Sequence, residues 1–110
     1  RFLRGNREKG GATMYARITK IQVDVHKIDE ASELFKKSVV PAFKAQQGYR
    51  GIFFMADHKK GECLCLSLWD TEEDLVVNEK SLSYQEQLIK FLDLFTGDPI
   101  REGYEVVFQD

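Results

Sequence analysis

The sequence has little of several things that commonly carry function. Among 110 residues there are two cysteines, two histidines and two prolines. Two cysteines without an export signal do not make a disulfide scaffold, so a reducing cytoplasm is the expected compartment. The histidines, His26 and His58, have no clustered partners, and a closed zinc site needs four protein ligands, so no metal is expected. No apolar run approaches the ~20 residues that span a bilayer. The N-terminus lacks the apolar stretch of a signal peptide. A Ser-His-acid set, a glycine-rich phosphate loop and a His/Cys metal spacing are all missing. A strong charge of one sign is missing too, since the net charge is -2. Arg1, Arg4, Arg7 and Lys9 stand against Glu8 alone, so the chain from Met14 onward is more acidic than that figure. An acidic body offers no basic face to nucleic acid.

What is present fits one globular domain. The chain is 43% apolar and 31% charged, which argues against disorder. Residues 1–13 (RFLRGNREKGGAT) show no apolar period and read as a flexible basic leader. Met14 looks like a natural start, and residues 14–110 read as the domain. Tyr15–Val25 alternates as a strand, rich in β-branched residues. Asp29 can cap a helix over residues 30–46, whose apolar positions recur at helical spacing. Pro41 should loosen its last turns, and Gly48 should end it.

A hairpin follows, predicted with the three-residue loop Lys59-Lys60-Gly61 and Gly61 at positive φ. That register puts Gly51, Phe53, Met55, Asp57, Cys63, Cys65, Ser67 and Trp69 on one face. Ile52, Phe54, Ala56, Leu64, Leu66 and Leu68 fall on the other. A slip of one residue would swap the faces of one strand. Thr71 opens a capped second helical region that runs to about Phe95, with a break expected between Asn78 and Ser83. A last strand is predicted over Gly103–Gln109.

The order is βαββαβ, the ferredoxin-like α+β pattern: a four-stranded antiparallel sheet with its helices on one face. Both hairpin faces are apolar, so the uncovered one needs a partner. A two-fold homodimer packed sheet against sheet is the simplest solution.

The run VVPAFKAQQGYRG (39–51), the Asp57–Gly61 turn and SLWDTEEDL (67–75) resemble the antibiotic biosynthesis monooxygenase domain family. The resemblance covers Met14 to Asp110. It implies a dimeric α+β barrel. It also implies an activity found in some members, oxygenation of aromatic phenols or quinols without a cofactor. Trp69 matches the tryptophan on the third strand of the oxygenase and haem-degrading members. The haem-degrading members also need an asparagine on the first strand and a histidine on the second helix, and this sequence has neither. An electron-rich phenolate can itself reduce oxygen, so such an enzyme needs only to deprotonate it, exclude water and hold oxygen nearby.

The expected ligand pocket, between sheet and helices, comprises Trp69, Tyr84, Phe53, Ser67, Cys65 and Phe35. Its ligand would be a small aromatic compound or quinol. Each residue also has a plain structural role open to it. Trp69 can fill the core and cover Gly51, Tyr84 can pack its ring, and the cysteines can be buried reduced thiols. Arg17 and Arg50 either bind an anionic group or make surface or interface ion pairs. The alternative to catalysis is a dimeric module that binds a small ligand or a partner without turnover.

Overall fold

The computed structural model describes residues 13–110. The expected leader therefore lies almost wholly outside the described residues. Strand β1 spans Tyr15–Gln22, a 3-10 turn spans Val25–Lys27, and helix α1 spans Ile28–Leu34. A π turn, Phe35–Val39, leads straight into α2, Val40–Lys44. Strands β2 (Tyr49–Ala56) and β3 (Glu62–Trp69) form the hairpin. Helices α3 (Glu72–Glu79) and α4 (Leu82–Phe91), a 3-10 turn at Leu92–Leu94 and strand β4 (Ile100–Glu105) complete the chain. The sheet order is β2-β3-β1-β4, with all three pairings antiparallel. This is the α+β ferredoxin-like fold. Among the described residues no helix is long and apolar enough to cross a membrane.

The hairpin register differs from the predicted one by a residue. Phe53 lies opposite Leu66, Phe54 opposite Cys65 and Met55 opposite Leu64. The cause is a loop of four residues in place of three. Asp57 closes the ladder, its amide donating to the Glu62 carbonyl at 2.8 Å. Its Oδ1 accepts from the amides of Lys59 and Lys60 at 2.9 and 3.0 Å. These bonds tie the turn to Asp57 and hold its pKa below the usual carboxylate range. Gly61 does take a positive φ, 81°. The faces of β2 are thus exchanged: Ile52 and Phe54 point to the helices, while Phe53 and Met55 join Leu64, Leu66 and Leu68 on the open face. A bulge between Tyr49 and Gly51 sets Trp69 opposite Tyr49 and Gly51 opposite Leu68, so Trp69 does not cover Gly51.

Other boundaries moved for local reasons. Asp29 lies in the first turn of α1, which has no side-chain cap, and Asp24 caps the preceding 3-10 turn, its side chain accepting from the His26 amide at 2.8 Å. The helix loosens one turn ahead of Pro41. The Val40 amide reaches back five residues to the Phe35 carbonyl, where the proline ring would crowd a regular helix. β1 ends at Gln22, with Val23 making a single bridge to Phe95. β4 begins at Ile100, earlier than predicted, because its partners Lys20 to Tyr15 set the pairing. Past Glu105 the ladder adds one bond, Val106 amide to Met14 carbonyl at 2.9 Å. Val107 and Phe108 are then 71% and 81% exposed.

The expected helix break is present. Thr71 caps α3, accepting from the Asp74 amide at 2.9 Å. Ser81 caps α4, accepting from the Tyr84 amide at 3.1 Å while its hydroxyl donates to the Asn78 carbonyl at 2.7 Å. The core lies between the helices and the inner sheet face. It is built from Ile21, Val23, Ile28, Phe35, Phe43, Trp69, Leu75, Phe91 and their neighbours.

Candidate functional site

Alternation along β1 points Tyr15, Arg17, Thr19, Ile21 and Val23 toward the helices. Arg17 is the odd member of that stripe. It is 2% exposed, yet it carries a charge that rarely goes unpaired in a core. Its guanidinium lies among three rings, with its central carbon 4.7 Å from the centroid of Tyr84, 5.4 Å from Phe43 and 5.7 Å from Trp69. The electron-rich ring faces attract the cation. Nη2 donates to Asn78 Oδ1 at 2.8 Å. Nη1 sits 3.6 Å from Glu79 Oε2, an ion-pair distance that leaves it without a hydrogen bond. Asn78 Nδ2 also has no hydrogen-bond partner. A buried donor left this way costs about 1–3 kcal/mol. Burial pulls the Arg17 pKa down, against the pull of Tyr84 and Glu79, but a guanidinium stays charged.

Beside Arg17 lies a cavity of about 60 Å³. β1 supplies Arg17, Thr19 and Ile21 to its wall, β2 Phe54 and β3 Cys65. Phe35 and Val39 come from the π turn, Phe43 from α2, and Tyr84, Gln87, Leu88 and Phe91 from α4. Phe35 and Phe54 stack at 4.9 Å between centroids, and Phe43 and Tyr84 at 6.2 Å. The wall is apolar and aromatic apart from Arg17, Tyr84, Gln87, Thr19 and Cys65. Ser38 donates to Gln87 Oε1 at 2.7 Å and receives Lys90 Nζ at 2.7 Å, so that corner is tied to the surface.

The Tyr84 hydroxyl accepts from Arg101 Nη1 at 3.1 Å, and the Arg101 guanidinium also lies over the Tyr84 ring at 5.4 Å. Arg101 Nε is 3.6 Å from Glu79 Oε2. Glu79 is thus shared by two arginines, Arg17 buried and Arg101 open to solvent. Burial pushes the Cys65 thiol up to about 12, so it is neutral at physiological pH and a poor nucleophile. Cys63 is buried, and both cysteines are free.

Of the residues expected to form the pocket, Tyr84, Cys65 and Phe35 line this cavity. Trp69 and Ser67 sit outside its wall, fully buried and bonded to each other, Nε1 to Oγ at 2.9 Å. Trp69 reaches the site only through Arg17 and through Phe43, whose ring centroid is 5.9 Å away. Phe53 is 57% exposed on the opposite face of the sheet, because of the register shift. Arg50 pairs with Asp70 at 3.0 Å on the surface. Sequence reasoning did not single out Phe43, Asn78 or Gln87 for the site, and it left Arg17 between two roles. The available signal was position: Arg17 interrupts an otherwise core-facing stripe. Among the described residues no group of three His, Cys, Asp or Glu is placed to hold a metal ion.

No family model matches the chain. Two uncharacterised Mycobacterium tuberculosis proteins, MT2634 and Rv2557, are each 28% identical over 98 residues, 89% of this chain and 43% of theirs. The chain spans less than half the length of these curated relatives. Solved structures align over most of its length. A candidate antibiotic biosynthesis monooxygenase of Caulobacter crescentus superposes with a TM-score of 0.73 at 13% identity, covering 93% of this chain and 97% of that one. A monooxygenase of Streptomyces coelicolor, from the gene ActVA-Orf6 and in complex with nanaomycin D, gives 0.71 at 15% identity, covering 84% and 87%. The chain has the antibiotic biosynthesis monooxygenase fold. M. tuberculosis Rv0793 shares this fold with a TM-score of 0.70 at 14% identity, covering 88% and 98%. At such identities the monooxygenase fold is what is shared, and the chemistry of the cavity has to be argued from its own residues.

Proposed function

We propose that this chain belongs to the antibiotic biosynthesis monooxygenase family and binds a small aromatic phenol or quinol in the cavity beneath α4, oxidising it without a cofactor. The observation that carries this reading is the aromatic cavity with a buried guanidinium in its wall. Phe35, Phe54, Phe43 and Tyr84 supply ring faces for a planar ligand. Arg17 and Tyr84 line the wall, but its accessible lining is almost wholly apolar, so ring packing carries the binding. In the reaction one oxygen atom enters the ring and the other leaves as water. A phenol with a free ring position becomes a quinone, and the substrate supplies all four electrons. The protein's part is to align the ring, hold its oxygen and exclude water. The cavity is small, so a ligand with even one ring needs the wall to yield.

The test is oxygen consumption by metal-free protein over a panel of phenols and quinols. Turnover should fall in Tyr84→Phe, and in Trp69→Phe through the displaced Arg17. No oxygen uptake anywhere in the panel sinks the catalytic half of the reading. A second reading, ligand binding without turnover, is favoured by one observation: the residues that line the cavity include no carboxylate or imidazole to take a proton from the ligand.

The open sheet face belongs to the same proposal. Phe53, Met55, Leu64, Leu66 and Leu68 form an apolar surface that a second copy would cover by two-fold packing.

A further inference from the structure

The size of the cavity and the direction of its polar groups together restrict what it can hold. It encloses about 60 Å³, whereas a protein cavity that admits benzene measures about 150 Å³. The polar groups of its wall are turned to other partners. Arg17 donates through Nη2 to Asn78, and the rings of Phe43, Tyr84 and Trp69 close in its guanidinium. The Tyr84 hydroxyl accepts from Arg101, and Gln87 Oε1 accepts from Ser38. Cys65 is a neutral thiol, which packs as a small, soft hydrophobe. A water molecule in a protein interior needs about two to four polar partners, and this wall offers it few. A charged ligand would give up its hydration for little return. An uncharged apolar molecule of a few atoms loses nothing by entering. It also supplies the dispersion contacts that the lining of a void forfeits.

From this geometry we propose that the cavity, as it stands closed, is a dry site for dioxygen. Dioxygen is uncharged, diatomic and without a permanent dipole, and it dissolves better in hydrocarbon than in water. The rings of Phe35, Phe43, Phe54 and Tyr84 and the side chains of Val39 and Leu88 would surround it. The proposal rests on the cavity being a ligand site, and assigns to it the smaller reactant of the oxidation. An aromatic ring enters only where the wall yields, while dioxygen fits the wall unmoved. Xenon shares the size class and the absence of charge, and serves as a probe that cannot react.

The experiment is methyl-resolved NMR of the full chain, first under xenon pressure and then under dioxygen, whose unpaired electrons speed the relaxation of nearby protons. Xenon should shift the methyl signals of Ile21, Val39 and Leu88 and the shifts should saturate. The exposed methyls of Val77 and Leu82 should show only a small linear drift. Dioxygen should enhance relaxation at the same three residues above that at Val77 and Leu82. Cys65→Leu adds bulk to the wall and should abolish the saturable xenon shift. Both gas titrations need only the natural chain, so they stand if the variant does not fold. Xenon shifts that never saturate, or that persist in a folded Cys65→Leu, overturn the site. Saturable xenon binding without excess relaxation from dioxygen overturns the choice of occupant. Phenol added to the natural chain separates the two readings. Methyl shifts with phenol but not with xenon overturn the dioxygen site and leave the cavity as a ligand site, whereas no response to either overturns both.

Discussion

Trp69 is fixed at its polar end by Ser67 and along its ring by Phe43, Tyr49 and the Arg17 guanidinium. Replacing it with phenylalanine removes the Nε1 bond, leaves the Ser67 hydroxyl without that donor and opens a gap. Trp69→Phe should destabilise the fold by about 1–3 kcal/mol, read from urea unfolding. Cys65 supplies a prediction in pH. Its thiol is pushed up to about 12 by burial, from an ordinary value of 9.0. The folded state thus keeps a proton that the unfolded chain gives up. Its contribution to stability is complete below pH 9 and is lost as pH rises toward 12. Burial moves the buried Cys63 in the same direction. The unfolding midpoint should drop more steeply with pH over that window in the natural chain than in Cys65→Ala. At this scale the sequence revealed residue types and left surroundings open. Tyr84 and Phe35 were readable from helical spacing. Arg17 was not, because a charged residue on a strand is equally compatible with solvent until the strand's partners are known.

Helices were more legible than strand pairings. Hydroxyl caps write their position into the sequence, as Thr71 and Ser81 do by accepting an amide three residues on. Ser81→Ala should therefore cost about 0.5–2 kcal/mol and fray the start of α4, which circular dichroism during unfolding would detect. Pairing registers depend on loop chemistry that a count of residues does not capture. Here one carboxylate, Asp57, gathers two amides, lengthens the loop by a residue and turns β2 over. The prediction of an apolar open face survived, because Phe53 and Met55 replaced Ile52 and Phe54 there. The prediction that Phe53 faces the pocket did not. Gly48 marks another local constraint. Its φ is 83°, and an added Cβ would run into the Asp74 carboxylate. Gly48→Ala should lose stability on both counts, by about 1–2 kcal/mol, measurable as a lower midpoint in denaturant.

For the molecule as a whole, the order of elements settled the ferredoxin-like architecture, because few topologies accommodate βαββαβ with helices on one face. The activity was not legible in the same way, since one fold hosts many chemistries. A domain of this size also gains from association. Phe53 is exposed on the open face and faces away from the cavity, so it tests the proposed assembly apart from ligand binding. Phe53→Glu should give a folded monomer by sedimentation, and the natural chain should sediment as a dimer at micromolar concentration. A stable natural monomer would remove the dimer from the proposal.

The π turn between α1 and α2 has a consequence in time. Phe35 and Val39 stand at its two ends, and both form part of the cavity wall. A helix closed by a five-residue reach is locally under-wound. The cavity wall thus includes a helical stretch that departs from the regular α-helical ladder. Amide hydrogen exchange should be faster over residues 36–40 than in the flanking turns. A seated ligand, by pressing on Phe35 and Val39, should slow it. The segment that interrupts the helix would then be the doorway of the cavity, and its opening rate would bound how quickly any ligand enters or leaves.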